Sequence, residues 1–139
     1  MRKIYVLGVF DLFHVGHISL LNQAKNLGGE LVVGINSDNV VKSYKRTPII
    51  PEKERLEIVR NCKIVDKAFI VNTLDNKEIV TKNRITTIVH GDDWTGESYL
   101  NQICLDKEFV LKNKIELIYV PYFEGTSTSK IIEKIKMLK

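Results

Sequence analysis

The sequence lacks the long apolar runs that would place it across a membrane. No apolar run approaches the ~20 residues that a membrane-spanning helix requires. The opening residues, MRKIY, lead directly into a predicted strand rather than into a signal peptide. We therefore expect a cytoplasmic protein without a membrane span.

Cysteine is also scarce, since Cys62 and Cys104 are the only two in 139 residues. With no further cysteine beside them, they indicate neither a disulfide framework nor a metal site. Both lie in segments where we expect helices. We expect them to be buried as small apolar side chains.

The sequence has no basic cluster, although its net charge is +4. Lysine and arginine are scattered rather than gathered in a run with interleaved aromatic residues, so we do not expect a nucleic-acid partner. The same charge suits a nucleoside triphosphate and a phosphorylated small molecule. There are no internal repeats and no low-complexity linker, and the length predicts one domain over residues 1–139.

Strand-like and helix-like segments alternate along the chain. Helical patterns cover residues 17–27, 52–63 and 128–138, and residues 95–113 form an insertion-like segment of one or two helices. Several strands are continuously apolar, which is typical of parallel strands buried on both faces. The alternation predicts an α/β fold, a Rossmann-like doubly wound parallel sheet of about five strands with helices on both faces. The predicted strands are Lys3–Leu7, Glu30–Asn36, Lys67–Val71, Thr86–His90 and Glu116–Val120.

The segment GVFDLFHVGH joins the first predicted strand to the first predicted helix. His14 and His17 lie three residues apart with Gly16 between them, so both imidazoles can reach one small anion. The start of the helix adds free N–H groups and the positive end of its dipole. We expect a phosphate site here rather than two histidines that merely pack near a turn, and we expect Asp11 to brace the loop through backbone N–H groups.

Polar residues also follow the second, fourth and fifth predicted strands. Asn36-Ser37-Asp38 either forms an ordinary turn or contributes to a site, and a charged loop of residues 42–48 comes next. His90-Gly91-Asp92-Asp93-Trp94 places adjacent carboxylates at a strand end, where they could bind a metal ion.

The start of the last predicted helix is rich in hydroxyl groups. Ser127, Thr128 and Ser129 are either ordinary N-caps or part of a phosphate cradle at the helix N-terminus. We expect the core face of this helix to carry Ile131, Ile135 and Leu138. Because ligands of such sheets collect beyond the carboxyl ends of the strands, we expect this cradle and the paired imidazoles to face one pocket.

These motifs resemble the small HxGH cytidylyltransferases, a family that includes the glycerol-3-phosphate, cholinephosphate and ethanolaminephosphate enzymes. The resemblance extends from residue 3 to about residue 136. It is closest to glycerol-3-phosphate cytidylyltransferase. It rests on Gly8, Phe10 and Asp11 before the HxGH motif, on the strand end at Gly91, and on EGTSTS at residues 124–129.

The resemblance implies a role for each of these segments. His14, His17, Lys45 and Arg46 are the implied catalytic residues, the two cations coming from a loop that moves over the phosphates. Arg55 and Lys77 are the implied substrate residues, Arg55 because it would support this loop and Lys77 because it would contact the acceptor phosphate. The implied nucleotide-binding residues are Gly8, Val9, Phe10, Asp11, Gly16, Asp38, Gly91, Asp92, Asp93, Trp94, Tyr122, Glu124, Gly125, Thr126, Ser127, Thr128 and Ser129.

Two positions depart from the family pattern. Tyr122 and Phe123 replace an Arg-Thr pair whose arginine contacts the phosphates in the family. Either Lys45, Arg46 or Lys130 supplies the missing charge, or the change marks a subgroup with a different acceptor. Val9 replaces a threonine that is usual in bacterial glycerol-3-phosphate enzymes.

The resemblance implies that CTP and a small phosphorylated alcohol react to give a CDP-alcohol and pyrophosphate. Glycerol 3-phosphate is the first candidate acceptor, Mg²⁺ would accompany the triphosphate, and a homodimer is implied. Other polyol phosphates, a phosphonate or a phosphocholine-like acceptor remain open. Further alternatives are an adenylyltransferase of the same superfamily and a non-catalytic nucleotide-binding module.

Overall fold

Five parallel strands form one sheet, in the order β3-β2-β1-β4-β5. The computed structural model describes residues 2–92, 96–121 and 123–138. The sheet confirms the predicted fold class, and the bounds of three strands are those predicted. The strands are β1 (Lys3–Gly8), β2 (Glu30–Asn36), β3 (Lys67–Val71), β4 (Thr87–Gly91) and β5 (Glu116–Val120).

Seven helices lie in the described part of the chain, and the sequence patterns predict the longer ones. Helix α3 follows Pro51, and Glu52 and Glu54 lie near the positive end of its dipole. The segment predicted at 95–113 forms two short helices. Helices α2 and α4 are too short to show a helical period, and the sequence did not predict them. The helices are α1 (Val15–Lys25), α2 (Asp38–Lys42), α3 (Glu52–Arg60), α4 (Lys77–Lys82), α5 (Gly96–Gln102), α6 (Lys107–Lys112) and α7 (Thr128–Lys136).

Two hydrophobic clusters cover the two faces of the sheet. Successive residues of a strand point to opposite faces, and in β1 Ile4 and Val6 belong to one cluster while Tyr5 belongs to the other. The first cluster includes residues of α1 and α3, and the second includes residues of α4, α5 and α6. Helices therefore lie on both faces, as predicted.

The last helix corrects one prediction. Across α7, all of which the structure describes, no side chain is buried. Of the three residues expected on a core face, Ile131 is half-buried, whereas Ile135 and Leu138 are 54% and 76% exposed. Their spacing marks an apolar face correctly, but the fold of this chain does not bury it.

Both cysteines were also predicted incorrectly. Cys62 lies in the turn after α3 and is half-buried, whereas Cys104 is exposed. Cys104 adopts a φ of 56°, a left-handed conformation that ends α5 rather than continuing it. Neither residue is packed as a core side chain.

Within the described residues, none of the helices has the length and apolar character needed to cross a membrane.

Candidate nucleotide-binding site

A cavity of about 450 Å³ opens at the carboxyl edge of the sheet. Its lining includes the turn after β1, the loop after α2, the end of β4 and the start of α7. His14 and His17 share this lining with Ser127 and Thr128. Since Thr128 Oγ1 lies 3.4 Å from His14 Nε2, the expectation of one shared pocket is confirmed.

The turn between β1 and α1 has an unusual backbone. Phe10 and Leu12 have φ values of 56° and 49°, both in the left-handed region that L-residues seldom occupy. Asp11, between them, is almost fully buried and accepts hydrogen bonds from the amides of Ile49 (2.8 Å) and Ile50 (2.9 Å). These contacts tie the turn to the loop before α3, which is the bracing role expected of Asp11.

Asp11 also carries a charge that the surrounding groups stabilise. Burial alone would raise the pKa of its carboxyl group, but the Ile49 and Ile50 amides and Arg46 outweigh burial and hold that pKa below its usual value. Arg46 Nη1 lies 3.2 Å from Asp11 Oδ2. The carboxylate is thus occupied by the loop rather than positioned as a general base.

The two histidines cap helix α1 reciprocally. The Nδ1 atom of His14 accepts the amide N–H of Gly16 (3.0 Å), and the Nδ1 atom of His17 accepts the amide N–H of His14 (3.1 Å). The rings stack with their centroids 3.9 Å apart. Because each Nδ1 is an acceptor, each neutral ring carries its proton on Nε2 and can donate it to a ligand.

Burial keeps both imidazoles uncharged near neutral pH. It lowers the pKa of His14, and it lowers the pKa of His17 to about 4, with further lowering by His14 and Lys45 and an opposing effect of Asp11. Phe10 and Phe13 pack around the His17 ring at centroid distances of 5.4 and 5.2 Å. The pair is therefore a set of two neutral donors.

Gly16 is required by the close approach of His14. A Cβ atom on Gly16 would lie 2.7 Å from His14 Cε1 and 2.9 Å from His14 Nδ1, closer than real contacts allow. A larger residue would move the His14 ring and break the cap of α1. The glycine of the HxGH motif thus has a steric cause in this chain.

The start of α7 completes this side of the cavity. The Ser127 hydroxyl caps the helix by accepting the Lys130 amide N–H (3.1 Å), and the Thr128 hydroxyl donates to the carbonyl of Asp11 (2.8 Å). The hydroxyl-rich segment therefore has both of the predicted positions, since it caps α7 and also lines the cavity. Lys130 lies outside this lining and donates through Nζ to the carbonyl of Glu124 (2.8 Å).

Lys45 and Arg46 supply positive charge to the same cavity. The pKa of Lys45 is lowered by burial and by the neighbouring Arg46, with Asp11 acting in the opposite direction. Lys45 lines the same cavity as the imidazoles, and its charge lowers the pKa of His17. Neutral donors, a helix N-terminus and two cations therefore converge on one space, an arrangement suited to a polyphosphate.

Comparison with known proteins agrees with this geometry. The profile of a family described as Cytidylyltransferase-like matches residues 5–134. The chain belongs to the Cytidylyltransferase-like family. It is therefore a member of the nucleotidyltransferase superfamily. Its relatives carry names that refer to different activities.

Three relatives illustrate this range. The chain is 37% identical to FAD synthase of Korarchaeum cryptofilum, over 96% of this chain and 91% of that protein. It is 35% identical to glycerol-3-phosphate cytidylyltransferase of Bacillus subtilis, over 97% and 98%. It is 37% identical to the bifunctional protein HldE of Helicobacter pylori, but it spans only 28% of that protein.

A solved structure shares the fold. The lipopolysaccharide core biosynthesis protein of Thermoplasma volcanium superposes with a TM-score of 0.77 at 28% identity. The match covers 89% of this chain and 99% of the other.

Several residues that the family resemblance assigned to ligands lie outside the cavity lining. Arg55 is fully buried and donates to the carbonyls of Val9 (2.7 Å), Asn36 (2.8 Å) and Ile50 (2.8 Å) and to Asp38 Oδ1 (2.7 Å). It joins the ends of β1 and β2 to the loop before α3, so Arg55 and Asp38 position the loops around the site.

Lys77 is also placed away from the cavity. Its Nζ lies 3.8 Å from Asp106 Oδ2, at the start of α6. Asp92, Glu124 and Gly125 do not line the main cavity, although Glu124 lines a second pocket that shares Phe123, Thr126 and Ser127 with it. Asp93, Trp94 and Tyr122 fall outside the described residues. The remaining predicted residues line the cavity, namely Gly8, Val9, Phe10, Asp11, His14, Gly16, His17, Lys45, Arg46, Gly91, Thr126, Ser127, Thr128 and Ser129.

The structure also adds lining residues that the motifs did not identify. Most of them follow β3 or lie near the ends of α2 and α5, so they share no sequence pattern. Asn36 had a signal, because it ends a predicted strand. The principal additions are Asn36, Tyr44, Thr73, Leu74, Gln102 and Ile103.

Proposed function

We propose that this chain transfers CMP from CTP to a small phosphorylated alcohol, with glycerol 3-phosphate as the first candidate, and releases pyrophosphate. The observation that carries the proposal is the single cavity shared by His14, His17, the start of α7 and the two cations Lys45 and Arg46. Similarity to glycerol-3-phosphate cytidylyltransferase across nearly the whole chain supports the choice of nucleotide and acceptor.

The proposed reaction is a direct in-line displacement. An oxygen of the acceptor phosphate bonds to the α-phosphorus of CTP while the bond from that phosphorus to the bridging oxygen breaks, and pyrophosphate leaves with the electron pair. The acceptor phosphate is already ionised near pH 7, so no general base is needed. The protein contributes positioning and charge stabilisation.

The imidazoles are suited to that task because they are neutral and held by the backbone. Their Nε2–H groups would donate to the phosphate oxygens on which charge develops, and each such donor contributes roughly 10²–10³ in rate. Lys45 and Arg46 would neutralise the triphosphate and take the place of the family arginine that Tyr122 replaces. Asp11 keeps this loop against the histidine turn.

Magnesium belongs to the proposal as part of the nucleotide substrate. Among the described residues, no group of three or more histidine, cysteine, aspartate or glutamate side chains converges to hold a metal. Phosphate oxygens and water would therefore be the principal ligands of Mg²⁺, which commonly keeps several waters. The metal would neutralise triphosphate charge, and the residues of this chain would orient the complex.

A second candidate is adenylyl transfer from ATP to a phosphorylated acceptor. The similarity to FAD synthase over 96% of the chain favours it. Pyrophosphate release measured with CTP, ATP, UTP and GTP separates the two. A preference for CTP supports the first proposal, and a preference for ATP replaces it with the second.

The histidine pair supplies the mechanistic test. His17→Asn retains an oxygen able to accept the His14 amide N–H, as Nδ1 does, but has no donor in place of Nε2–H. We expect kcat for pyrophosphate release to fall by about 100-fold or more while the fold is retained. Circular dichroism and the thermal midpoint check the fold. Near-normal turnover in this variant would contradict the proposed role.

A homodimer is also part of the proposal, because the family resemblance implies one. Static light scattering of the purified chain measures its mass directly. A mass near 32 kDa, twice the 16.0 kDa of the chain, is expected, and a mass near 16 kDa contradicts it.

A further inference from the structure

One part of the cavity lining has no charged side chain among the described residues. Among the described lining residues, the charged side chains other than histidine are Asp11, Lys45 and Arg46. All three gather at the histidine turn and the loop after α2. Away from them, the lining includes a group of uncharged residues that we call the uncharged wall, namely Asn36, Tyr44, Thr73, Leu74, Gln102 and Ile103.

The uncharged wall lies beside the phosphate-binding elements rather than among them. Asn36 ends β2, and Thr73 and Leu74 follow β3, so these residues lie on the β2–β3 side of β1. Helix α7 follows β5 at the opposite edge of the sheet. A ligand that fills the cavity can therefore place phosphate on one side and the rest of its structure on the other.

A buried asparagine holds the uncharged wall together. Asn76 is 1% exposed, and its Nδ2 donates to the carbonyls of Leu74 and Ile103, both at 3.2 Å. Its amide also donates to the Ile103 carbonyl (3.1 Å), and its Oδ1 accepts the hydroxyl of Tyr5 (3.1 Å). The loop after β3 and the end of α5 are thereby fixed to each other and to the core.

Tyr44 and Lys45 mark the boundary between the two sides. On the side of the wall, the Tyr44 hydroxyl accepts a hydrogen bond from Asn36 Nδ2 (3.3 Å). On the side of the histidines, the charge of Lys45 lowers the pKa of His17. Lys45 Nζ also lies 5.8 Å from the centroid of the Tyr44 ring. The aromatic ring of the uncharged wall therefore already lies beside an ammonium group, which repels a second cation.

We propose, on the basis of the transfer activity proposed above, that the uncharged wall binds the body of the phosphorylated acceptor and selects an uncharged, hydroxyl-bearing body over a cationic one. The acceptor phosphate would lie next to the α-phosphate, where Lys45 and Arg46 would neutralise both groups, since Lys77 is paired with Asp106 instead. Asn36 and Tyr44 offer neutral hydrogen-bonding groups to hydroxyls, and Leu74 and Ile103 offer apolar contact. Tyr44 and Leu74 are the specificity-determining residues.

The test compares glycerol 3-phosphate with phosphoethanolamine as acceptors, using the nucleotide that supports pyrophosphate release. The wild-type chain is expected to prefer glycerol 3-phosphate by about tenfold or more in kcat/KM. The cationic acceptor meets the Lys45 ammonium group, the described residues of the wall include no carboxylate, and Asp11 is already paired with Arg46.

Leu74→Asp places such a carboxylate in the wall. Leu74 is 44% exposed, so the variant is expected to fold. The kcat/KM ratio should move about tenfold toward phosphoethanolamine, with the KM for nucleotide unchanged. The matched control is Leu111→Asp, since Leu111 is 77% exposed and lies outside the lining, and its ratio should equal that of the wild type.

Tyr44→Phe removes only the hydroxyl. It should raise the KM for glycerol 3-phosphate by about three- to tenfold, the usual effect of losing one hydrogen bond, and leave the KM for nucleotide unchanged. Equal use of both acceptors by the wild type, or a ratio that Leu74→Asp does not move, would overturn the role of the wall while the transfer activity stands.

A binding measurement distinguishes a failure of the proposed transfer activity from a failure of the proposed wall. If no nucleotide and acceptor pair releases pyrophosphate, calorimetric titration with glycerol 3-phosphate and phosphoethanolamine measures the wall directly. Selective binding of glycerol 3-phosphate that Tyr44→Phe weakens supports the wall and overturns only the transfer. Absence of selective binding overturns the wall as well.

Discussion

At the scale of single residues, backbone amides decide which nitrogen of each histidine is available to a ligand. The Nδ1 atoms of His14 and His17 are consumed by the cap of α1. The donor left to each ring is its Nε2–H group, and that of His14 lies 3.4 Å from Thr128 Oγ1. Burial keeps both rings uncharged near pH 7. A sequence motif identifies the pair, but only the folded turn fixes its tautomer.

The buried imidazoles also make stability depend on pH. Folding lowers the pKa of His17 from 6.5 to about 4, so the unfolded chain binds more protons between these values and stability falls as pH falls through this window. We expect a loss of about 2 kcal/mol between pH 7 and pH 4.5 from this residue. His14 acts in the same direction, whereas the lowered pKa of Asp11 matters only below its ordinary value of 3.8.

Urea denaturation at pH 7 and pH 4.5 measures this dependence. The His17→Asn variant is the control, because it lacks the His17 contribution and should lose less stability across the same interval. The same loss in both proteins would contradict the assignment to His17.

At the scale of elements, the N-termini of α1 and α7 meet because their strands end at one edge of the sheet. Each terminus is capped by a side chain that also lines the cavity, His14 in α1 and Ser127 in α7. The caps accept hydrogen bonds from some of the free backbone N–H groups of each terminus, and the remaining N–H groups are available to an anion.

Substitutions at Ser127 separate capping from anion binding. Aspartate is as good an N-cap as serine, whereas alanine is worse by about 1 kcal/mol. The stability of Ser127→Asp should therefore equal that of the wild type, and Ser127→Ala should be less stable. Nucleotide binding should follow a different order, because a carboxylate repels the triphosphate. We expect the KM for nucleotide to rise most, by about tenfold, in Ser127→Asp.

Thermal denaturation ranks the Ser127 variants by stability, and initial-rate kinetics rank them by their KM for nucleotide. If the KM for nucleotide follows the strength of the cap, with Ser127→Asp close to the wild type, then this end of α7 does not hold the phosphates.

The elements were predictable where a long pattern specified them. Apolar, β-branched runs defined β2, β3 and β5 to the residue, and the helical period located α1, α3 and α7. Helices α2 and α4, with five and six residues, are too short to show a period. The apolar spacing of Ile135 and Leu138 was read correctly, but whether a face is buried depends on the rest of the fold.

At the scale of the whole molecule, the sheet order explains why separate motifs form one site. Strand β1 lies between β2 and β4, so the turn after it borders the loops of both neighbours. That arrangement was predictable from the rule for strand ends. The uncharged wall was not, because its residues come from separate segments that hydrogen bonds of Asn76 and Tyr44 bring together in the folded chain. Arg55 shows the converse, since the family resemblance linked it to the substrate but folding buries it.

The central claim is that the paired imidazoles and the start of α7 hold one triphosphate. A crystal structure of the chain with a non-hydrolysable CTP analogue and Mg²⁺ tests it most directly. We predict phosphate oxygens within hydrogen-bonding distance of Nε2 of His14 or His17 and, in the same molecule, of the hydroxyl or amide groups at residues 127–129. Phosphates bound elsewhere on the chain, or contacts to only one of these groups, would contradict the account.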